Sequence, residues 1–200
     1  MNKILSIIIP TYNAAQFLDK GLSTFIMEDK EMMDKLEVLI VNDGTKDNRV
    51  EVAQKFVDRY PNTFKIINKE HGGHGSAINT GVENVTGKYF KCVDADDWVY
   101  TDALERTMKI LEKEDFDALI QSFITYDISK DLWEPRDIHC DNTDRIYNLK
   151  EIVDMWEQID YGMSFHGVTY NSQFYKRLGY KLIEGVFYED QEYATIPLSY

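Results

Sequence analysis

The chain has 200 residues, 44% apolar and 28% charged, with 35 acidic against 22 basic side chains and a formal charge of -13. That apolar content can fill one substantial core and excludes disorder on composition, while acids scattered along the chain exclude a nucleic-acid backbone as the main partner. Cys92 in an apolar run and Cys140 in a polar loop have neither C-x-x-C spacing nor paired histidines, so a reducing, cytoplasmic setting is expected, without a zinc site or redox pair.

Ile4 to Ile9 is a short apolar run that Pro10 closes before a secretory signal's apolar region could reach full length. It predicts a first strand. Further strands are predicted at Val38 to Val41, Phe64 to Ile67 and Tyr89 to Val93, alternating with helical stretches near Ala14 to Ile26, Asn48 to Tyr60 and Gly75 to Glu83. This order predicts an α/β fold with a parallel sheet flanked by helices on both faces. The strands run into Thr11-Tyr12-Asn13, Asn42-Asp43-Gly44, His71-Gly72-Gly73-His74-Gly75 and Asp94-Ala95-Asp96-Asp97. Right-handed crossovers bring these ends to one edge of the sheet, where open α/β sheets bind ligands.

After Asp97 the pattern changes. A helix from about Asp102 to Lys113 leads into apolar Ala118 to Ile124, then residues 129–148 read as an irregular excursion or short hairpin. A helical segment from Leu149 to Gln158 precedes a strand-like piece with glycine breaks, Tyr161 to Val168. The expected organisation is one domain over 1–200, with a nucleotide-binding half at 1–100 and a smaller acceptor and catalytic half at 101–200. The chain stops within a few turns of Glu189-Asp190-Gln191-Glu192, which reads as the front of a longer protein. No segment approaches the roughly 20 apolar residues of a membrane helix.

Three carboxylates directly after a buried strand repel one another unless a cation sits among them, and oxygen-only ligands suit Mg²⁺ or Mn²⁺ better than zinc. A metal-held phosphate ester is the first expectation for Asp94 to Asp97; an Asp-rich lead into a helix is the plain alternative. The glycine segment lets backbone approach a ligand closely at a helix amino end. It contains no Gly-Lys-Ser/Thr, which argues against a phosphate-loop hydrolase.

In order along the chain, Ser6-Ile7-Ile8-Ile9-Pro10-Thr11-Tyr12-Asn13, Val41-Asn42-Asp43-Gly44-Thr45-Lys46-Asp47, Asn79-Thr80-Gly81 with Gly87, Asp94 to Asp97, and Tyr188-Glu189-Asp190 resemble the family 2 glycosyltransferases of the GT-A fold. The resemblance implies a Rossmann-like, mostly parallel sheet with a smaller acceptor-side portion. It places Pro10, Thr11, Tyr12 and Asn13 around the nucleobase and ribose, Asp43 on the imide N–H of uracil, Gly75 at the phosphates and Asp94 at the ribose or the metal's water shell. Asp96 becomes the direct ligand of Mn²⁺ or Mg²⁺, Asp190 the general base with Glu189 as runner-up, and Asp97 a helix cap or support; apolar Phe187 and Tyr188 are expected to raise the pKa of Asp190. His71 and Ile78 depart from the family's usual Asn and Arg. His166, Gly167 and Trp156 are weighed as acceptor contacts and left as core or loop groups.

The implied function is inverting, metal-dependent transfer of a sugar from a nucleotide-diphospho-sugar, UDP-linked by the Asp43 argument, to a sugar, lipid-linked or protein acceptor in envelope, capsule or glycoconjugate synthesis. The expected place is the cytoplasm, peripheral at the inner face of the membrane. Two other readings compete. A phosphatase with an Asp-x-Asp nucleophile carries that motif after its first strand and continues into Thr, whereas here it follows about the fourth and continues into Asp97-Trp98. A nucleotide-sugar-binding module without turnover would bind UDP and metal yet transfer nothing.

Overall fold

The computed structural model describes residues 2–12, 15–45, 49–140, 142–143 and 145–199. Four strands, β1 (Leu5–Thr11), β2 (Leu36–Asp43), β3 (Phe64–Lys69) and β4 (Tyr89–Cys92), lie parallel in the order β3-β2-β1-β4. Between them run α1 (Ala15–Ser23), α2 (Lys30–Lys35), α3 (Arg49–Arg59) and α4 (His74–Asn84). The short α2 is absent from the sequence reading. Asp29 caps it by accepting from the Met32 amide at 3.1 Å, and it buries Met32 and Met33.

Successive strand residues point to opposite faces, and this divides the core in two. Ile7, Ile9, Val38 and Ile40 pack with Leu18, Leu22, Phe25, Ala53, Met108 and Leu111 on one face. Ile8, Leu39 and Val41 pack with Ala77, Ile78 and Val82 of α4 on the other. Ile78, which stands where the family resemblance leads one to expect arginine, is fully buried against the sheet and offers no charge to the ligand edge.

The second half extends the same sheet. After α5 (Thr101–Lys113), β5 (Ala118–Ile120) takes the far edge, and β8 (Val168–Asn171) inserts antiparallel between β4 and β5. The apolar run Ala118 to Ile124 is therefore split: its later part opens β6 (Phe123–Asp127), which pairs with β7 (Leu132–Arg136) as a separate hairpin. The predicted helix Leu149 to Gln158 is also split, into α6 (Leu149–Asp154) and α7 (Trp156–Ile159), at Met155. An Asn148–Glu151 capping box starts α6, which buries nothing, whereas α7 turns Ile159 into the core, so one straight helix could not serve both. The piece predicted as a strand at Tyr161 to Val168 is mostly turn; pairing begins where it was expected to end. Two helices follow, α8 (Ser172–Leu178) and α9 (Glu189–Thr195). Tyr193 of α9 is buried among Phe90, Phe165, Tyr170 and Tyr175, and the Tyr170 hydroxyl donates to its carbonyl at 2.8 Å.

Candidate active site

Strand order reverses between β1 and β4, the position at which open α/β sheets form their ligand crevice. Pairing of β4 with β1 stops at Ile8 and Cys92, so Pro10 and Thr11 continue past it and a crevice opens beside them. The resulting cleft holds about 400 Å³ and is lined by Pro10, Thr11, Tyr12, Phe17, Asp43, His71, Gly73, His74, Ala77, Asp94, Ala95 and Asp96. Six of the positions expected at the ligand edge, Pro10, Thr11, Tyr12, Asp43, Asp94 and Asp96, thus share one space. Asn13 lies outside the described residues.

Asp43 ends β2 almost fully buried, at 2% exposure. Its Oδ1 accepts from Lys69 Nζ at 2.7 Å and the Gly72 amide at 2.9 Å; Oδ2 accepts from the Gly73 amide at 2.8 Å and lies 2.8 Å from His71 Nδ1. Burial alone would raise this carboxyl's pKa, but Lys69 and the two amides outweigh it and hold it below the usual range. A carboxylate offers about four lone-pair positions; three donors bond to this one and the His71 ring, whose Nδ1 also lies 3.2 Å from the Asp43 backbone carbonyl, crowds the fourth. Its place on the cleft wall agrees with the sequence reading, but a nucleobase imide reaches it only by displacing one of these groups. His71, its ring stacked on Tyr12 at 4.4 Å, has a side chain 56% exposed against 16% for Lys69, so it is the neighbour a ligand meets from solvent.

Gly73 has φ of 88°, a conformation side-chain-bearing residues avoid, and ends the loop at the start of α4. There His74 spans two carboxylates. Its Nε2 lies 3.0 Å from Asp94 Oδ1 and its Nδ1 2.8 Å from Glu189 Oε1, with the ring against Phe165. Burial opposes charge on this imidazole, but Asp94 and Glu189 outweigh it and its pKa is raised. Gly75, expected at the phosphates, is buried outside the cleft lining: a Cβ there would sit 2.8 Å from the Ile183 carbonyl and 3.3 Å from Glu189 Cγ. Its bareness admits the segment leading into α9.

Among the described residues, Asp94, Asp97 and His166 each offer a ligand atom within 4.8 Å of the others. Two carboxylates suit Mg²⁺ or Mn²⁺, and the imidazole adds a nitrogen donor that Mg²⁺ uses less readily; the donor set fits a divalent ion. Asp97, expected as a helix cap or as support for the acid loop, is not the cap of α5: Tyr100 occupies that position, and Asp97 faces His166 at 3.4 Å. Lys91 fixes the His166 segment by donating to its backbone carbonyl. Asp96 is exposed on the cleft wall and stands outside the trio.

Asp190 is half-buried in the first turn of α9, contacted by Gln191 Nε2 at 3.4 Å, and it does not line the cleft. Buried Glu189 is the acid that meets α4. Phe187 and Tyr188 do not shield Asp190 as expected. They are 90% and 80% exposed, and Tyr188 caps α9 in the left-handed region with φ of 71°, which turns the aromatic pair outward. His74 was missed from sequence, and His166 was weighed only as an acceptor contact, not as a partner of Asp94 and Asp97. The only signal was a histidine inside a glycine segment and another beside Gly167, each far from its partners along the chain.

A mostly parallel sheet with a glycine loop and an acid loop meeting at its switch point defines an α/β domain of the GT-A type. The chain belongs to glycosyl transferase family 2, whose profile matches residues 6–179. It is similar to the uncharacterized glycosyltransferases YibD of Escherichia coli (strain K12), 37% identical over 114 residues, and RP339 of Rickettsia prowazekii, 35% identical over 112. These stretches are 57% and 56% of this chain but 32% and 33% of those proteins, so the match spans about a third of the length of these two relatives. In fold it resembles S. aureus TarS in complex with UDP-GlcNAc, with TM-score 0.68 and 19% identity over 96% of this chain and 52% of that one. A mannosyltransferase from Pyrobaculum calidifontis in complex with GDP-Man and Mn²⁺ has TM-score 0.65 and 21% identity over 96% and 51%. Among the described residues no helix is long and apolar enough to cross a membrane.

Proposed function

We propose that the chain transfers a sugar, with inversion, from a nucleotide-diphospho-sugar to a hydroxyl acceptor, using a UDP-linked donor in envelope, capsule or glycoconjugate synthesis at the cytoplasmic side. The observation that carries this reading is that Asp43, Asp94 and Asp96 line one cleft at the sheet's switch point. Support comes from the structural neighbours, one holding UDP-GlcNAc and another GDP-Man with Mn²⁺.

In this reading Tyr12 and His71 border the base, and its imide N–H takes the place of His71 Nδ1 on Asp43. Asp94, Asp97 and His166 would hold a divalent ion, joined by Asp96 from the cleft wall. Such an ion supplies Lewis-acid stabilisation of the departing diphosphate. Asp190 accepts the proton of the acceptor hydroxyl as that oxygen attacks the anomeric carbon opposite the nucleotide, and one displacement inverts the centre. Asp94 and His74 keep the donor side ordered meanwhile.

Calorimetry with UDP and Mn²⁺, paired with a donor-hydrolysis assay in which water replaces the acceptor, tests the division of roles. Asp96→Ala is expected to lose metal-dependent UDP binding. Asp190→Asn is expected to keep it while turnover falls roughly 10²–10⁴-fold, the range of a removed general base. Equal loss of binding in both contradicts the assignment, and binding without turnover in the unaltered chain favours a binding module.

A further inference from the structure

Asp94 and Glu189 sit on opposite sides of the proposed reaction, the first beside the donor and the second next to the base, and they are separated by 95 residues of chain. One side chain joins them. His74 presents Nε2 to Asp94 at 3.0 Å and Nδ1 to Glu189 at 2.8 Å, and its ring packs on Phe165. Gly75 leaves room for Glu189 to lie against the first turn of α4. Glu189 itself is 7% exposed, so its carboxylate has little water to turn to and is held in one orientation by this contact. The rest of α9 is anchored separately, through buried Tyr193 and through Glu192, which accepts from the Tyr180 hydroxyl at 2.7 Å and the Ile183 amide at 3.0 Å.

We propose that His74 is a positioning residue: its imidazole is a strut between Asp94 and Glu189 that fixes where the first turn of α9, and with it Asp190, stands relative to the donor cleft. This rests on the reading of Asp190 as general base. Because Tyr193 and Glu192 hold the remainder of the helix, loss of the strut disturbs only the turn that carries the acid pair. Glu189 then serves as the strut's far anchor and not as a second base.

Two measurements on the whole chain test this. In ¹⁵N-histidine NMR without metal, Glu189→Ala is expected to move the Nδ1 resonance of His74 and leave Nε2 in place, with His74→Ala providing the assignment. An unmoved Nδ1 overturns the strut whether or not any donor turns over, so its failure is distinct from failure of the proposed function. In the turnover assay, His74→Ala and Glu189→Ala are each expected to lower kcat about 10²-fold, the effect of a small misplacement of reacting groups, with donor KM within about threefold. The double variant should be no worse than either single one. Glu189→Gln keeps an accepting oxygen and should retain kcat within about tenfold of the unaltered chain. A Glu189→Gln variant as inactive as Glu189→Ala, or a loss carried by donor KM, overturns the proposal.

Discussion

The two ends of β2 carry the same device with different consequences. At its start Glu37 is fully buried; Oε2 accepts from Ser6 Oγ at 2.6 Å and the Thr86 amide at 2.9 Å, and Oε1 from Thr86 Oγ1 at 2.9 Å and Lys65 Nζ at 2.7 Å. At its end Asp43 accepts from three donors, and His71 Nδ1 lies 2.8 Å from its Oδ2. The donors of Glu37 come from β1, β3 and the turn before β4, all held by the sheet, and Ser6 is further pinned by the Gly87 amide at 2.9 Å. Those of Asp43 come from the end of β3 and the glycine loop that follows, and His71 is more than half exposed. Saturation by rigid donors seals a site, while crowding by a loop over a cleft leaves a partner that a ligand can replace.

The largest effect expected from this contrast is on stability at the sealed end. Glu37→Ala removes a carboxylate and strands a buried hydroxyl and an amide, so denaturant unfolding should show a loss of about 2–6 kcal/mol, roughly 1–3 kcal/mol for each donor left unpaired. UDP affinity of the folded fraction should be unchanged. Asp43→Asn should cost less, about 1–3 kcal/mol, because its amide turns donors toward donors in a loop able to shift. Its UDP affinity should nevertheless fall at least about tenfold, a change of 1.4 kcal/mol. If both substitutions weaken UDP alike, the two ends are not functionally distinct.

The contrast was only half legible in the sequence. The four parallel strands and their loops were readable because strands buried on both faces appear as apolar runs ending in polar or glycine punctuation. Asp43 and Asp96 were accordingly placed at one edge. What escaped depends on contacts distant along the chain. Val168 to Asn171 becomes a strand through pairing with Tyr89 and Phe90 on one side and Ala118 to Ile120 on the other, and nothing within so short a stretch announces that. His74 takes its meaning from Asp94 and Glu189, and Asp97 from His166, none of them neighbours in helical or strand period. Glu37 read as a strand residue of no special interest, since its four donors come from three other segments.

Acid should narrow the difference between the ends in a defined direction. Burial alone would raise the Glu37 pKa, but Lys65, Ser6 and Thr86 outweigh it and hold it below the ordinary carboxylate range. A depressed folded-state pKa contributes stability above the unfolded value of about 4.3 and loses it as pH falls through the folded one. The stability gap between the unaltered chain and Glu37→Gln should therefore be full near neutrality and close on acidification below about pH 4.3. Unfolding midpoints in urea at stepped pH measure it, and a gap that widens toward acid would reverse the assignment.

The smallest expected effect on stability is at Lys65, set against Lys69 at the other end. Lys65→Met leaves Glu37 with three donors, and the Lys65 side chain is already 49% exposed, so the cost should stay below about 1 kcal/mol. Lys69 is only 16% exposed and shares Asp43 Oδ1 with the Gly72 amide. Lys69→Met takes the cation from a buried carboxylate and should cost more than Lys65→Met, up to about 3 kcal/mol in the folded chain. It should change ligand behaviour, because a less crowded Asp43 is easier for a nucleobase imide to reach and its loop less firmly held. The measurable sign is the ratio of UDP to CDP affinity, which Lys65→Met should leave alone and Lys69→Met should shift. Uracil carries a proton at N3 where cytosine has a bare ring nitrogen, so a ratio unmoved by Lys69→Met would detach base choice from Asp43 while leaving its structural role intact.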